Sequence, residues 1–244
     1  MIIAGFNKTT LLDYPGLVAA TVFTNGCNFR CPFCHNGNLV LGTSALYVYP
    51  EQEVLSVLEK RKNVLQGVCI SGGEPTLQTD LCDFITKCKE MGYRVKLDTN
   101  GYRPDVLKKL LDAGLLDYVA MDIKNTKEKY ALTVGNSSLD LSKIEESVSL
   151  IMASGIDYEF RTTVVKELHS MDDMMKIGEW LAGCRHLYLQ QYQERESVIR
   201  VMQSADSSKK DAFHAYSDEE MKAIADRMNE IPGLSSHVYV RGVA

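Results

Sequence analysis

The chain has 244 residues, 45% apolar and 24% charged, the balance of a soluble globular protein with one sizeable core. A formal net charge of -5 argues against a non-specific nucleic-acid or membrane surface. The start lacks the basic and apolar run of a secretory signal, no stretch approaches transmembrane length, and the cysteines are too sparse for a disulfide scaffold. A cytoplasmic protein with reduced thiols is expected.

Strand-like runs and helical stripes alternate along the chain. Val18–Thr24 and Gly67–Ser71 are short β-branched runs, followed by a stripe of Leu81, Phe84, Ile85 and Cys88 that Gly92 stops. Arg94–Leu97 reads as a strand; Pro104 then opens a helix carrying Leu107, Leu110 and Leu111, closed by Gly114. Tyr118–Ile123 is the next strand, before a stripe of Ile144, Val148 and Ile151. After strand Tyr158–Val165, Ser170 and Asp173 form a capping-box pattern ahead of Met174, Ile177 and Leu181. His186–Gln191 is a strand, and the polar, weakly periodic stretch Glu194–Tyr216 predicts a long loop. Ser217 with Glu220 repeats the capping signal before Met221, Ile224 and Met228, Pro232 follows, and Val238–Arg241 predicts an edge strand.

This alternation predicts an α/β fold, a parallel sheet with outer helices and right-handed crossovers. Six units fit an incomplete barrel or an open doubly wound sheet. No composition shift marks a boundary, so a single domain over residues 1–244 is predicted.

The most informative segment is Cys27-Asn28-Phe29-Arg30-Cys31-Pro32-Phe33-Cys34-His35-Asn36. Three thiolates spaced C-x3-C-x2-C can converge on one metal centre. A [4Fe–4S] cluster usually takes four cysteines, so three leave one iron open to a substrate or cofactor. A zinc site with His35 as fourth ligand is crowded, because His35 directly follows Cys34; a zinc ligand from elsewhere, such as Cys69, stays open.

Other candidate residues fall at predicted strand ends. Gly72-Gly73-Glu74-Pro75 is either a tight turn or a backbone segment that approaches a ligand, with Glu74 accepting from a cation. Asp98-Thr99-Asn100-Gly101 ends in an ordinary turn dipeptide. Asp122 and Lys124 share one strand face, as a structural ion pair or as ligand contacts. Arg161 interrupts a buried strand and Gln193 follows another; each needs a neighbour, a water or a cofactor as partner.

The cysteine spacing, with Phe33 before the last cysteine, resembles the signature of the radical S-adenosylmethionine superfamily. With Leu12-Asp13-Tyr14-Pro15-Gly16, Asn25-Gly26-Cys27 and Cys34-His35-Asn36, the resemblance extends to glycyl-radical-enzyme activases, most closely those of anaerobic ribonucleoside-triphosphate reductases. It implies a partial (β/α)6 barrel and one [4Fe–4S] cluster on Cys27, Cys31 and Cys34, whose open iron is chelated by S-adenosylmethionine. It implies that Gly72, Gly73, Glu74 and Pro75 serve the methionyl amino group. Asp98, Thr99, Asn100, Asp122 and Lys124 would lie near the ribose and methionine ends of that cofactor, with a monovalent cation near Asp98. Arg161 and Gln193 are further candidate contacts, although activases of formate lyases carry a histidine near Gln193. The implied hydrogen donor is a glycine Cα–H of a partner enzyme, and the implied electron donor is a flavodoxin or ferredoxin. Cys69, Cys82, Cys88 and Cys184 lack ferredoxin spacing, so a single cluster is expected. The rival readings are a small-molecule enzyme akin to carboxy-deazaguanine synthases and a non-catalytic iron–sulfur or zinc sensor.

Overall fold

The computed structural model describes residues 1–42, 47–203 and 213–242. Eight strands form one sheet in chain order: β1 (Ile3–Thr10), β2 (Ala19–Thr24), β3 (Gly67–Gly72), β4 (Arg94–Thr99), β5 (Tyr118–Asp122), β6 (Asp157–Val164), β7 (Leu187–Gln191) and β8 (Val238–Arg241). β1 is antiparallel to β2, while β2–β3, β3–β4, β6–β7 and β7–β8 pair parallel. The helices are α1 (Gly37–Leu41), α2 (Glu51–Arg61), α3 (Leu81–Glu90), α4 (Pro104–Asp112), α5 (Tyr130–Thr133), α6 (Leu141–Ala153), α7 (Met171–Trp180), α8 (Ile199–Gln203) and α9 (Asp218–Met228). This is the predicted α/β class. Where composition marks no boundary, the chain divides into two compact units. The first comprises Met1–Asn28, Asn38–Ala120 and Ser142–Asp157; the second comprises Phe29–Gly37, Met121–Leu141 and Tyr158–Ala244.

In the first unit, Ala19, Ala20, Val22, Val68, Ile70, Val95 and Leu97 are fully buried, as strands of a sheet covered on both faces require. Helix α3 buries the predicted Leu81, Phe84, Ile85 and Cys88, each large side chain contributing roughly 2 kcal/mol. Burial pushes the Cys88 thiol up to about 12, which fits the core role expected of it. Pro104 sits in the first turn of α4 above buried Leu107 and Leu110, and α6 buries Ile144, Val148 and Ile151. In the Asp-x-Pro-Gly segment, Tyr14 packs against Tyr118 at 5.9 Å, and Asp13 accepts from the Thr21 hydroxyl at 2.5 Å.

Among the elements of this unit that escaped the sequence reading are β1 and α2. β1 buries only its two ends, so its apolar pattern is faint, and its order comes from pairing with β2. Helix α2 buries only Val54, Leu55 and Leu58 between charged residues.

In the second unit both predicted capping boxes form. Asp173 N–H donates to Ser170 Oγ at 3.2 Å and Ser170 N–H to Asp173 Oδ2 at 2.8 Å; Glu220 and Ser217 repeat the exchange at 3.2 and 2.6 Å. Each box satisfies two helix-end donors, contributing about 1 kcal/mol or more. The predicted edge strand is β8, in register Leu187↔Val238 with β7. Its Arg241 clamps buried Glu159 through two bonds of 2.8 and 2.7 Å. The stretch predicted as a long loop contains helix α8, and residues 204–212 of it lie outside the described residues.

Candidate functional site

The first unit gathers Cys27, the glycine pair, Glu74 and the Asp98–Asn100 segment. Gly72 adopts φ 121°, and a Cβ there would lie 2.3 Å from Thr24 N. A Cβ on Gly73 would lie 1.9 Å from the Gly26 carbonyl oxygen. The pair therefore admits close backbone docking: Gly73 N–H donates to Thr24 O at 3.0 Å and Glu74 N–H to Gly26 O at 2.8 Å. These bonds fix the residues leading into Cys27. The close approach that the glycines allow is to the chain's own backbone.

Glu74 is buried and fully engaged. Its Oε1 accepts from Thr76 N–H (3.1 Å), Thr76 Oγ1 (2.6 Å) and Thr99 Oγ1 (2.8 Å), and Oε2 accepts from Asn100 N–H (2.7 Å). Burial pushes this carboxyl above its ordinary range, against the pull of those donors. Sequence reasoning offered Glu74 as a partner for a cation; the structure makes it the hub that joins Pro75–Leu77, a single 3-10 turn, to the end of β4. Asn100 Nδ2 in turn donates to Asn28 Oδ1 at 2.8 Å and lies 3.8 Å from Cys27 Sγ. The Asn28 Nδ2 beside it is a buried donor with no protein acceptor.

Two residues before Asp98 on β4, Lys96 forms an ion pair with Asp98 Oδ1, and Ser71 Oγ donates to Asp98 Oδ2 at 3.0 Å. Lys96 escaped the sequence reading. The signal was available, since a lysine two residues before an aspartate on a buried strand shares its face.

In the second unit, Cys31 and Phe33 are buried, and Cys34 N–H donates to Cys31 O at 3.1 Å in a tight turn. Helix α8 braces this turn: Arg200 N–H donates to Pro32 O and Ile199 N–H to Cys34 O, both at 3.1 Å. His35 Nε2 lies 2.6 Å from the Gln193 carbonyl and its ring stacks on Tyr192 at 5.8 Å, so this histidine is turned to its own partners. Burial lowers its pKa. The Gln193 side chain accepts from Arg195 at 2.7 Å. Among the described residues, no three His, Cys, Asp or Glu side chains are grouped so as to hold a metal ion.

Asp122 ends β5 between two cations, Lys124 Nζ at 2.9 Å and Arg161 Nε at 2.8 Å. Burial alone would raise its pKa, but the paired cations hold it down at about 2. Lys124 is held protonated against burial by Asp122 and by the Cys31 and Cys34 sulfurs. Burial pushes the Cys34 thiol up, and Lys124 opposes that shift. Behind Lys124 stands His169, which the sequence reading missed. Its Nε2 lies 2.9 Å from Lys124 O and its Nδ1 accepts from Val165 N–H at 3.1 Å; Phe33 meets its ring edge-on at 6.5 Å. Nothing in sequence spacing joins residues 33, 124 and 169.

The profile of the Radical SAM superfamily matches residues 21–181, which include all of these elements except α8 and the residues around Gln193. The chain belongs to the radical S-adenosylmethionine superfamily. A Methanocaldococcus jannaschii protein named as a glycyl-radical enzyme activating enzyme is 31% identical over 80% of this chain and 82% of its own length. The pyruvate formate-lyase-activating enzyme of Clostridium pasteurianum is 29% identical over 72% of this chain and 74% of its own. Among solved structures, Streptococcus suis SuiB bound to its precursor peptide SuiA superposes with a TM-score of 0.64 at 13% identity, covering 91% of this chain and 48% of SuiB. That likeness concerns the fold. Members of this superfamily work with a [4Fe–4S] cluster and S-adenosylmethionine, and this chain is such an enzyme. No helix among the described residues is long and apolar enough to cross a membrane.

Proposed function

We propose that this radical S-adenosylmethionine enzyme is an activase that takes a hydrogen atom from a glycine of a partner glycyl radical enzyme. The observation that carries the reading is the match, over four-fifths of both chains, to a relative named as such an activating enzyme. The finer proposal, from the motif resemblance, is that the partner is an anaerobic ribonucleoside-triphosphate reductase, with a cytoplasmic flavodoxin or ferredoxin as electron donor.

Cys27, Cys31 and Cys34 would hold the cluster and leave one iron open. The donor set fits. Lys124 is an ammonium held charged near two of these sulfurs, which favours thiolates. Asn100 Nδ2 stands 3.8 Å from the third sulfur, where an amide donor tunes a cluster, and the unpartnered Asn28 Nδ2 lies next to it. When bound, the pair would supply one-electron reductive cleavage of the sulfonium–C5′ bond, with methionine leaving, and so the power to take hydrogen from carbon. The chain's residues have supporting tasks. Gly72, Gly73 and Glu74 with Pro75 fix the approach to Cys27 and the Thr99–Asn100 turn. Asp98 would face the methionine end of the cofactor, while Phe33, Asp122, Lys124 and Arg161 would supply the charged and aromatic groups near Cys31 and Cys34. Gln193 would reach the cofactor only after leaving Arg195.

The test mixes anaerobically reconstituted protein, a reductant, S-adenosylmethionine and candidate glycyl radical enzymes. The expected outcome is 5′-deoxyadenosine together with a glycyl doublet in electron paramagnetic resonance, lost when the partner's glycine is replaced. Deoxyadenosine without a doublet from any partner points to a small-molecule substrate instead.

A further inference from the structure

A carboxylate that helps hold a metal cation must offer it lone pairs. Each oxygen of Asp98 already has one partner, and the partner on Oδ1 is itself a cation. Oδ1 is paired with the Lys96 ammonium, and Oδ2 accepts from Ser71 Oγ at 3.0 Å. The Lys96 side chain is only 3% exposed, against 14% for Asp98. The ammonium is also held from other strands: Cys69 Sγ on β3 lies 3.9 Å away, and the Tyr118 ring on β5 takes the cation over its face at 5.8 Å. A metal ion arriving at Asp98 would meet a like charge fixed against the same carboxylate, and around that charge stand the Cys69 thiol and an aromatic face, where a hard cation requires oxygen donors. The residues present do not fit the monovalent cation that the family resemblance places near Asp98.

We propose that Lys96 is a built-in cation that takes the place of a metal ion at Asp98, so that this protein binds S-adenosylmethionine without potassium or sodium. The inference rests on the activase resemblance that puts the cofactor's methionine end near Asp98, and not on which molecule gives up the hydrogen. Lys96 acts through Asp98 and is a positioning residue. It holds the carboxylate in one rotamer, and its charge neutralises Asp98 where a cofactor carboxylate would otherwise be repelled. A fixed ammonium also binds without the ordering of a free ion, so the site is complete at any salt composition.

The experiment measures S-adenosylmethionine binding to the cluster-loaded protein by equilibrium dialysis, in potassium, sodium and choline buffers of equal ionic strength. The wild type is expected to keep its Kd within about twofold across the three. Lys96→Met, which removes the charge and keeps the length, is expected to bind about tenfold or more weakly in choline and to recover in potassium. A wild type that weakens about tenfold in choline overturns the proposal, and so does a Lys96→Met protein indifferent to the cation. If Lys96→Met does not fold, thallium-205 NMR of the wild type decides: no bound resonance is expected, and a saturable bound signal abolished by Asp98→Asn would overturn the proposal. A wild type that binds no S-adenosylmethionine in any buffer defeats the cofactor placement itself, an outcome distinct from cation dependence.

Discussion

β4 reads Lys96-Leu97-Asp98 toward its C-terminal end, and β5 ends at Asp122, from which the chain continues Ile123-Lys124. The same two side chains occur at the same spacing in opposite order. On β4 the lysine lies deeper in the strand, the aspartate nearer its end, and the pair is neutral. At the end of β5 the aspartate comes first and is shared by Lys124, two residues beyond the strand, and by Arg161, so the group carries one net positive charge, next to two cysteines. Alternation alone predicts both pairs. It does not predict their environments, because the deciding partners, Ser71 and Cys69 for one and Arg161 for the other, come from different strands. The two ends are therefore electrostatically unlike: one presents a restrained carboxylate, the other a surplus cation suited to thiolates.

Neutralising each aspartate tests that contrast most directly. Asp122→Asn leaves Lys124 and Arg161 without their shared counter-ion, and about 3–5 kcal/mol of stability is expected to be lost in urea unfolding. Asp98→Asn strands one ammonium that still has an aromatic face, and a loss of about 2 kcal/mol is expected. Equal losses would show that the extra arginine adds no charge imbalance.

Gly73→Ala probes the β4 side by sterics instead of charge. The new Cβ cannot stay 1.9 Å from Gly26 O, so the segment entering Cys27 must move. A loss of about 2–3 kcal/mol is expected, with a fall in iron bound per chain after reconstitution. Retained iron content would mean that the docking of Gly73 on Gly26 does not set the cysteine's position.

Acid should weaken the β5 group. Asp122 titrates at about 2 in the folded chain, below its ordinary value, so its contribution is complete above about pH 4 and is lost as pH falls toward 2. The contribution is roughly 2 kcal/mol. The gap in urea midpoint between the wild type and Asp122→Asn is expected to narrow over that window; a gap constant with pH would place the stabilisation outside the ion pairs.

What the sequence made legible follows the same division between local and distant causes. The stripes of α3, α4 and α6 and the boxes at Ser170 and Ser217 depend on residues three or four apart, and each formed as read. Helix α2 has only a narrow apolar stripe; its acidic first turn, Glu51 and Glu53, and basic end, Lys60 and Arg61, were the readable sign. β1 exists because β2 pairs with it. At the site, the cysteines, Gly72–Gly73, Asp98 and Asp122 announced themselves by motif, but their partners did not. Glu74 proved to be a hydrogen-bond hub, His169 backs Lys124 from a loop forty-five residues away, and α8 braces Cys34 from within a stretch that looked featureless.

The smallest expected effect concerns the turn that follows β4. Ser147 is fully buried on α6, and its hydroxyl donates to the Gly101 carbonyl at 2.6 Å, tying the Asp98–Gly101 segment to a helix. Ser147→Ala keeps the helix and removes the bond, leaving one buried carbonyl less well satisfied, at about 1 kcal/mol. Asn100, one residue before that carbonyl, carries the amide next to Cys27 Sγ. Ser147→Ala is therefore expected to lower the urea midpoint slightly and, once cluster is bound, to shift the cluster's reduction potential, because amide-to-sulfur geometry tunes it. Asp122→Asn alters charge beside Cys31 and Cys34 and should move the potential through a different route. If Ser147→Ala changes stability with no shift in potential, the turn after β4 holds the fold and not the sulfur, and the carboxylate-bearing strand end would differ from its β5 counterpart in charge alone.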